Sequence, residues 1–156
     1  MTKRKMMIFV GADHRGFELK GKVLEFLKQQ GYQPEDLGNV KYEEEDDYPD
    51  FALAVAKKVQ ASAAAGEARG ILVCGSGTGM DIVANKISGV RSVLGFSTNQ
   101  VFDTRQADDV NVLSLPADFI DESTALEMVK VFLKTPFSNE LKYKRRVEKI
   151  SQIEME

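Results

Sequence analysis

The sequence has very few of the residues that cross-link a small protein or bind a metal. It contains one cysteine, Cys74, and one histidine, His14. A single cysteine cannot form an intramolecular disulfide. A lone histidine beside one aspartate, Asp13, is a poor zinc site. We therefore expect neither a disulfide nor a zinc ion.

Long apolar runs and a large excess of charge of one sign are also absent. The longest apolar runs have the length of a strand, far short of a membrane span. The basic segment 1–5 precedes an apolar stretch, 6–10, that is too short for a signal peptide and lacks a small-residue cleavage site. The net charge of −3 gives no reason to expect nucleic acid or an anionic membrane as a partner. These absences predict a cytoplasmic protein.

The sequence does contain enough apolar material for one folded domain. Hydrophobic residues make up 43% of the 156 residues, and no repeat, low-complexity tract or flexible linker divides them, so residues 1–156 are predicted to form a single domain. Strands are predicted at 6–10, 71–74, 90–96 and 110–115, with a weaker candidate at 32–37 that Pro34 interrupts. Helices are predicted at 17–30, 49–59, 80–87, 99–106, from 121 to near 136, and at about 144–153.

This alternation of strands and helices is typical of an α/β fold. Strands that are apolar throughout belong to a parallel sheet covered by helices on both faces. Ligands of such sheets bind beyond the carboxyl ends of the strands, near helix N-termini. The loops of interest therefore follow Val10, Cys74, Phe96 and Leu115.

A segment of small residues follows Cys74, and we term it the glycine loop: Gly75-Ser76-Gly77-Thr78-Gly79. It is not a Walker loop, because no Gly-Lys-Ser/Thr follows, and the last glycine of a dinucleotide fingerprint would fall at Met80. The loop is either a tight strand-to-helix turn or a cradle of backbone N–H groups for an oxyanion or phosphate. Ordering so many small residues is costly in backbone entropy, and this cost favours the cradle over a simple turn.

Two further groups lie at the same predicted edge of the sheet. Cys74 precedes a helix N-terminus, which would stabilise a thiolate and suit a base or nucleophile. The alternative is a buried, inert thiol. Asp13 and His14 suit proton transfer or the binding of sugar hydroxyls. The alternative for this pair is a helix N-cap and a surface histidine.

Charged residues are concentrated in two clusters. The acidic run at 43–47 is interpreted as a solvated loop in preference to a metal site. Lys142, Lys144, Arg145 and Arg146 form a basic cluster in an acidic chain. This cluster is either a solvated helix face or a phosphate clamp, since arginine binds phosphate through two hydrogen bonds and lysine as a point charge.

At these residues the sequence resembles the type B ribose-5-phosphate isomerase family, which also includes galactose-6-phosphate isomerase subunits. The matching motifs are GADHRGFELK at 11–20, DYPDFA at 47–52 and GILVCGSGTGM at 70–80, which continues to Arg91, with weaker matches at 105–106, 111–113 and 146–148. The resemblance implies a three-layer α/β/α sandwich with a five-stranded parallel, Rossmann-like sheet. It also implies a homodimer or homotetramer that binds a sugar phosphate between subunits without metal or cofactor.

The resemblance also implies roles for single residues. Cys74 is the base that moves a proton between the first two sugar carbons through an enediolate. The backbone of the glycine loop holds the developing oxyanion with help from Ser76. Asp13 and His14 bind the sugar and its phosphate, with Asp13 also in a catalytic role, and Tyr48 lines the pocket.

The chain departs from the family pattern where ring opening and phosphate binding are expected. Ala107 and Asp108 replace the usual His-Asn, whose histidine helps to open the sugar ring. Either other residues substitute, with Asp108, Lys144 and Arg145 as candidates, or the substrate differs from that of the family. Asp118 occupies a position that usually presents an arginine to the phosphate of the partner subunit. Arg146 matches one phosphate-binding arginine, and Lys142 replaces another with a less directional contact.

The expected activity is the isomerisation of ribose 5-phosphate and ribulose 5-phosphate, a step of the pentose phosphate pathway. One alternative is an isomerase of a hexose 6-phosphate or another phosphorylated sugar. Another is a non-catalytic subunit that binds a sugar phosphate. Cys74 favours an enzyme, because a binding subunit has no evident need for a thiol there, whereas Ala107 favours the binding subunit. The last helix, with Val147 and Ile150 on one face, is expected to pack on the partner.

Overall fold

The computed structural model describes residues 5–156, so the basic N-terminal segment lies outside the described residues except for Lys5. The strands are β1 Met7–Ala12, β2 Glu35–Asp36, β3 Ala68–Cys74, β4 Ser92–Leu94 and β5 Val112–Pro116. Within the described range they form one sheet in the order β2-β1-β3-β5-β4, and every neighbouring pair is parallel. The five-stranded parallel sheet is thus confirmed.

Helices cover both faces of this sheet. They are α1 Phe17–Gln29, α2 Tyr48–Ser62, α3 Thr78–Ala84, α4 Thr98–Asp108, α5 Glu122–Lys134 and α6 Leu141–Glu154. Side chains along β1 point alternately to the two faces. Ile8 and Val10 join the core beneath α1, α4 and α5, whereas Phe9 joins the core beneath α2 and α3. The fold is therefore the predicted three-layer α/β/α sandwich, and between residues 5 and 156 no helix has the length and apolarity to cross a membrane.

Several elements differ in extent from the prediction. The weak strand candidate at 32–37 shrinks to the short edge strand β2, which begins only after Pro34. The strand predicted at 90–96 is limited to β4, because the Val90 N–H closes a turn onto the carbonyl of Ile87. The last helix begins at Leu141, before the predicted 144. Leu141 is 83% exposed, so no buried apolar position marks this first turn.

Helix α6 lies on the outside of the domain, and none of its residues is buried. It contacts α4, and its end is attached to the loop before β4. There the Glu154 carboxylate accepts hydrogen bonds from the Gly89 N–H at 2.8 Å and the Ser88 hydroxyl at 3.3 Å. Packing of α6 on a partner subunit stays a prediction.

Candidate active site

The carboxyl ends of β1 and β3 bring the two predicted site loops together. These strands pair with Ala12 opposite Val73, so Asp13 and Cys74 lie at the same edge of the sheet. The Asp13 N–H donates to the carbonyl of Val73 at 3.3 Å, which joins the first loop to β3. Residues 13–16, which we term the first loop, and the glycine loop therefore form adjacent walls of one site.

Cys74 lies beneath the glycine loop and is 5% exposed. Its Sγ accepts a hydrogen bond from the Gly77 N–H at 3.1 Å. Burial raises the pKa of the Cys74 thiol and the charge of Asp13 adds to the effect, whereas the N–H groups of Met80 and Gly77 lower it. The backbone favours a thiolate as the sequence predicts, but burial outweighs it, and the neutral thiol dominates in the single chain.

The glycine loop is a tight turn in which neighbouring side chains occupy the space beside its glycines. Gly77 has a φ of 74°, a left-handed conformation that suits glycine. A Cβ on Gly79 would lie 2.6 Å from the ring of Tyr48, and a Cβ on Gly75 would overlap the guanidinium of Arg15. Tyr48 and Arg15 can therefore pack this closely against the loop backbone only because these positions are glycine.

Two further side chains that the sequence singles out, those of Ser76 and Tyr48, lie at this loop. The hydroxyl of Ser76 accepts a hydrogen bond from the Thr78 N–H at 3.3 Å, and both residues are exposed. Tyr48, the first residue of α2, covers the loop with its ring and stays 41% exposed. Tyr48 and Ser76 thus both lie at the glycine loop that covers Cys74.

Asp13 is 5% exposed and caps the turn before α1. Its Oδ1 accepts a hydrogen bond from the Gly16 N–H at 3.0 Å and so closes this turn, but the N-cap of α1 is Gly16, and the N-cap alternative for Asp13 is wrong. Burial raises the pKa of Asp13, although the Gly16 N–H and the charge of His14 both lower it. A carboxyl group of raised pKa beside a thiol is suited to handling a proton, so the role of Asp13 in this turn is compatible with a catalytic role.

Asp46 lies at this candidate site, although no sequence pattern indicates it. The acidic run at 43–47 is not a uniformly solvated loop: the Asp46 side chain is 4% exposed. Its Oδ1 accepts hydrogen bonds from the His14 ring Nδ1 at 2.7 Å and from the His14 backbone N–H at 3.1 Å. Nothing in a run of acids shows which member turns inward.

The contact between His14 and Asp46 changes the pKa of both groups. The hydrogen bond to Asp46 raises the pKa of His14 despite an opposing effect of burial. Burial raises the pKa of Asp46, but hydrogen bonds from His14 and Asn39 outweigh it and leave that pKa below its usual range. Donor atoms of Asp13, His14 and Asp46 lie within 4.8 Å of one another, a spacing that could hold a metal ion, but here Asp46 is engaged by His14 instead.

Arg15 and Asp118 form an ion pair above Gly75. The Asp118 N–H donates to the Gly75 carbonyl at 2.9 Å. Asp118, expected near the phosphate of a partner subunit, thus lies against the glycine loop of its own chain and is paired with a cation. No sequence pattern indicates this role for Arg15, because only the fold brings these two loops together.

Asp108, Lys142 and Arg146 do not reach this site within one chain. Helix α4 ends at the opposite edge of the sheet, where the Asp108 carbonyl accepts a hydrogen bond from Arg91 Nε at 3.1 Å. The charged groups of Lys142 and Arg146 both approach the ring of Tyr143, at 4.8 and 5.8 Å from its centroid. In residues 5–156, no hydrogen bond or ion pair joins these three side chains to the glycine loop.

Fold and site together define an α/β/α enzyme with acid–base groups at the carboxyl edge of a parallel sheet. A sequence profile of the Ribose/Galactose Isomerase family matches residues 8–150, and the chain belongs to this family. Ribose-5-phosphate isomerase B of Mycobacterium tuberculosis is 34% identical over 149 residues, which cover 96% of this chain and 90% of that protein.

Solved structures agree with this assignment. Ribose-5-phosphate isomerase B of Mycoplasma genitalium with bound ribulose-5-phosphate is 38% identical, with 97% of both chains covered and a TM-score of 0.92. The Clostridium thermocellum enzyme is 37% identical, with 96% of this chain and 98% of that chain covered and a TM-score of 0.90.

Proposed function

We propose that this chain interconverts ribose 5-phosphate and ribulose 5-phosphate. The observation that carries the proposal is the position of Cys74, which lies under the glycine loop, close to Asp13, at the edge where parallel sheets bind ligands. The relatives named above are ribose-5-phosphate isomerases B, and the Mycoplasma genitalium structure contains ribulose-5-phosphate.

Cys74 is the base in this proposal. Its thiolate takes the proton from C2 of the open-chain aldose, the C–H electrons form the C1–C2 double bond, and the C1 carbonyl oxygen becomes an enediolate oxygen. The proton returns to C1 while the hydroxyl proton of O2 passes by way of Asp13 to O1, which yields the ketose. Backbone N–H groups of the glycine loop and the hydroxyl of Ser76 stabilise the oxyanion. Because burial raises the pKa of Cys74, its thiolate is a strong base once formed.

Cys74→Ala tests this role. The variant should lose turnover of ribose 5-phosphate by about 10²–10⁴-fold, the usual effect of removing a general base. Circular dichroism checks that the fold is intact, and exchange of the C2 proton in deuterated water checks the chemical step. Activity within a few-fold of the parent would remove Cys74 from the mechanism. If only a hexose 6-phosphate is turned over, the protein is a hexose-phosphate isomerase. If sugar phosphates bind without turnover, it is a non-catalytic binding subunit.

We further propose that the enzyme is a homodimer or homotetramer of the cytoplasm, the compartment of phosphorylated sugars. A partner would supply the phosphate-binding and ring-opening groups, with Asp108 in place of the family's histidine. The exposure of Phe96 at 68% and Phe119 at 76% supports a surface that a second copy covers. Light scattering at micromolar concentration tests this proposal, and an active monomer would contradict it.

Phosphate is held mainly by Arg146, with Lys142 and His14 in support. Arg146→Ala should weaken the binding of a sugar phosphate about tenfold or more, because charge-assisted hydrogen bonds are lost. Arg145→Ala is the matched control, since Arg146 approaches the Tyr143 ring together with Lys142 whereas no such contact involves Arg145 among the described residues. Equal, small losses in both variants would mean that the cluster is only a solvated helix face.

A further inference from the structure

The His14 ring is attached to Asp46 by an arrangement that differs from an ordinary surface ion pair. One carboxylate oxygen of Asp46, Oδ1, accepts hydrogen bonds from the His14 ring Nδ1 at 2.7 Å and from the His14 backbone N–H at 3.1 Å. The second oxygen, Oδ2, lies 3.4 Å from the Asn39 side-chain amide, which donates to it. The Asp46 side chain is 4% exposed, although its neighbours in the acidic run are solvated. A buried carboxylate is costly unless it is paired, so these contacts maintain its position.

The His14 ring also lies beside an aromatic ring. The edge of Tyr42 lies against it, with ring centroids 6.4 Å apart and an interplanar angle of 82°. The charged groups that act on the ring are Asp46, Asp13 and Arg15. With Nδ1 bonded to Asp46, Nε2 is the remaining ring nitrogen, and it makes no hydrogen bond to any residue in 5–156. The imidazole is therefore fixed at one nitrogen and free at the other.

We propose that Asp46 is a positioning residue for His14: it holds the ring through Nδ1 and leaves Nε2 to donate a hydrogen bond to an anionic oxygen of the substrate. The naming of that substrate as a sugar phosphate rests on the proposed function. The contact between Asp46 and His14 lies within the protein and does not depend on the identity of the substrate.

The charge of Asp46 has a consequence for pH dependence. The hydrogen bond to Asp46 and the charge of Asp13 raise the pKa of His14. Burial and the charge of Arg15 lower this pKa. The imidazolium therefore persists to higher pH than it would without Asp46. A cationic donor binds phosphate oxygens more strongly than a neutral one. Binding should thus weaken as the pH rises through the raised pKa, and removal of the Asp46 charge should move this loss to lower pH.

The first test needs no substrate turnover. His14 is the only histidine among 156 residues, so its ring gives one set of NMR signals in the full-length protein without a histidine tag. The titration midpoint should fall in Asp46→Asn, which keeps the side-chain size and an acceptor oxygen, and should stay unchanged in Glu45→Gln, the exposed neighbour of equal charge. Inorganic phosphate should perturb the ring signal at concentrations about threefold to tenfold higher in Asp46→Asn than in the parent. Equal midpoints in all three proteins would overturn the proposal.

The second test separates positioning from general damage. In Asp46→Asn the KM for ribose 5-phosphate at neutral pH should rise about threefold to tenfold with kcat within a few-fold of the parent. A purely structural role would lower the melting temperature and kcat without moving the His14 midpoint, which would count against the proposal. If the parent does not turn over ribose 5-phosphate, the proposed function fails, and the phosphate titration alone decides the role of Asp46. Unchanged phosphate binding in Asp46→Asn would then refute it.

Discussion

Gly16 lies where the first loop packs directly against β3. The substitution Gly16→Ala tests how closely this loop and β3 must pack. The φ of Gly16 is −97°, which alanine adopts readily, so only space opposes the change. A Cβ would overlap the Val73 carbonyl and lie 2.9 Å from Val73 Cβ. Because non-bonded carbons settle at about 3.5–4.0 Å, the loop would have to move outward by roughly 1 Å.

The expected effect on stability follows from this displacement. Overpacking costs about 1–3 kcal/mol, and loss of the Asp13–Val73 hydrogen bond costs about 1 kcal/mol more. Gly16→Ala should therefore lower the free energy of unfolding by about 2–4 kcal/mol. Since the same loop carries Asp13 and His14, a shift of about 1 Å should also lower turnover of the proposed substrate roughly 10²-fold. Urea denaturation and a ribose 5-phosphate assay measure the two effects.

Gly21→Ala is the matched control, because it is the same substitution one helix turn into α1. A Cβ at Gly21 meets no heavy atom within 4 Å. Replacement of an interior helix glycine should stabilise the protein by about 0.5–1 kcal/mol. If Gly16→Ala unfolds like the parent and keeps full activity, or if both variants lose the same stability, the first loop does not depend on its close packing against β3.

Three further predictions concern buried polar groups. Arg105 is 1% exposed and donates to the carbonyls of Thr135 at 3.0 Å and Val110 at 2.6 Å and to the carboxylate of Asp109 at 2.9 Å. Arg105→Ala should thus lower the free energy of unfolding by about 3–5 kcal/mol in urea denaturation, and a loss below about 1 kcal/mol would contradict this. Burial raises the pKa of Cys74, so iodoacetamide should label the native protein slowly at neutral pH. Labelling should become faster as the pH approaches the raised pKa. Rapid labelling at neutral pH would instead indicate a stabilised thiolate. The stability that Cys74 contributes relative to Cys74→Ala should be complete below the ordinary pKa of a thiol and should be lost as the pH rises through the raised value.

Much of the site could be predicted because its groups directly follow buried strands. Asp13 comes after β1 and Cys74 ends β3, and parallel neighbours bring their carboxyl ends to one edge. The arrangement of Cys74 and the glycine loop needed no long-range information. The thiol pKa could not be predicted in the same way, since it depends on how deeply the packed loops bury the sulfur.

The sequence by itself determined the layer architecture, the edge at which the chemistry lies and the turn built on the glycine loop, because apolar periodicity and backbone freedom are local properties. The tertiary structure alone decided which charged residues meet there. Asp46 and Arg15 belong to the site because long-range packing brings them to His14 and Asp118. Asp108 is carried by α4 to the opposite edge. Side-chain charges on loops have no periodic signal, so their partners are set only by the way distant segments pack.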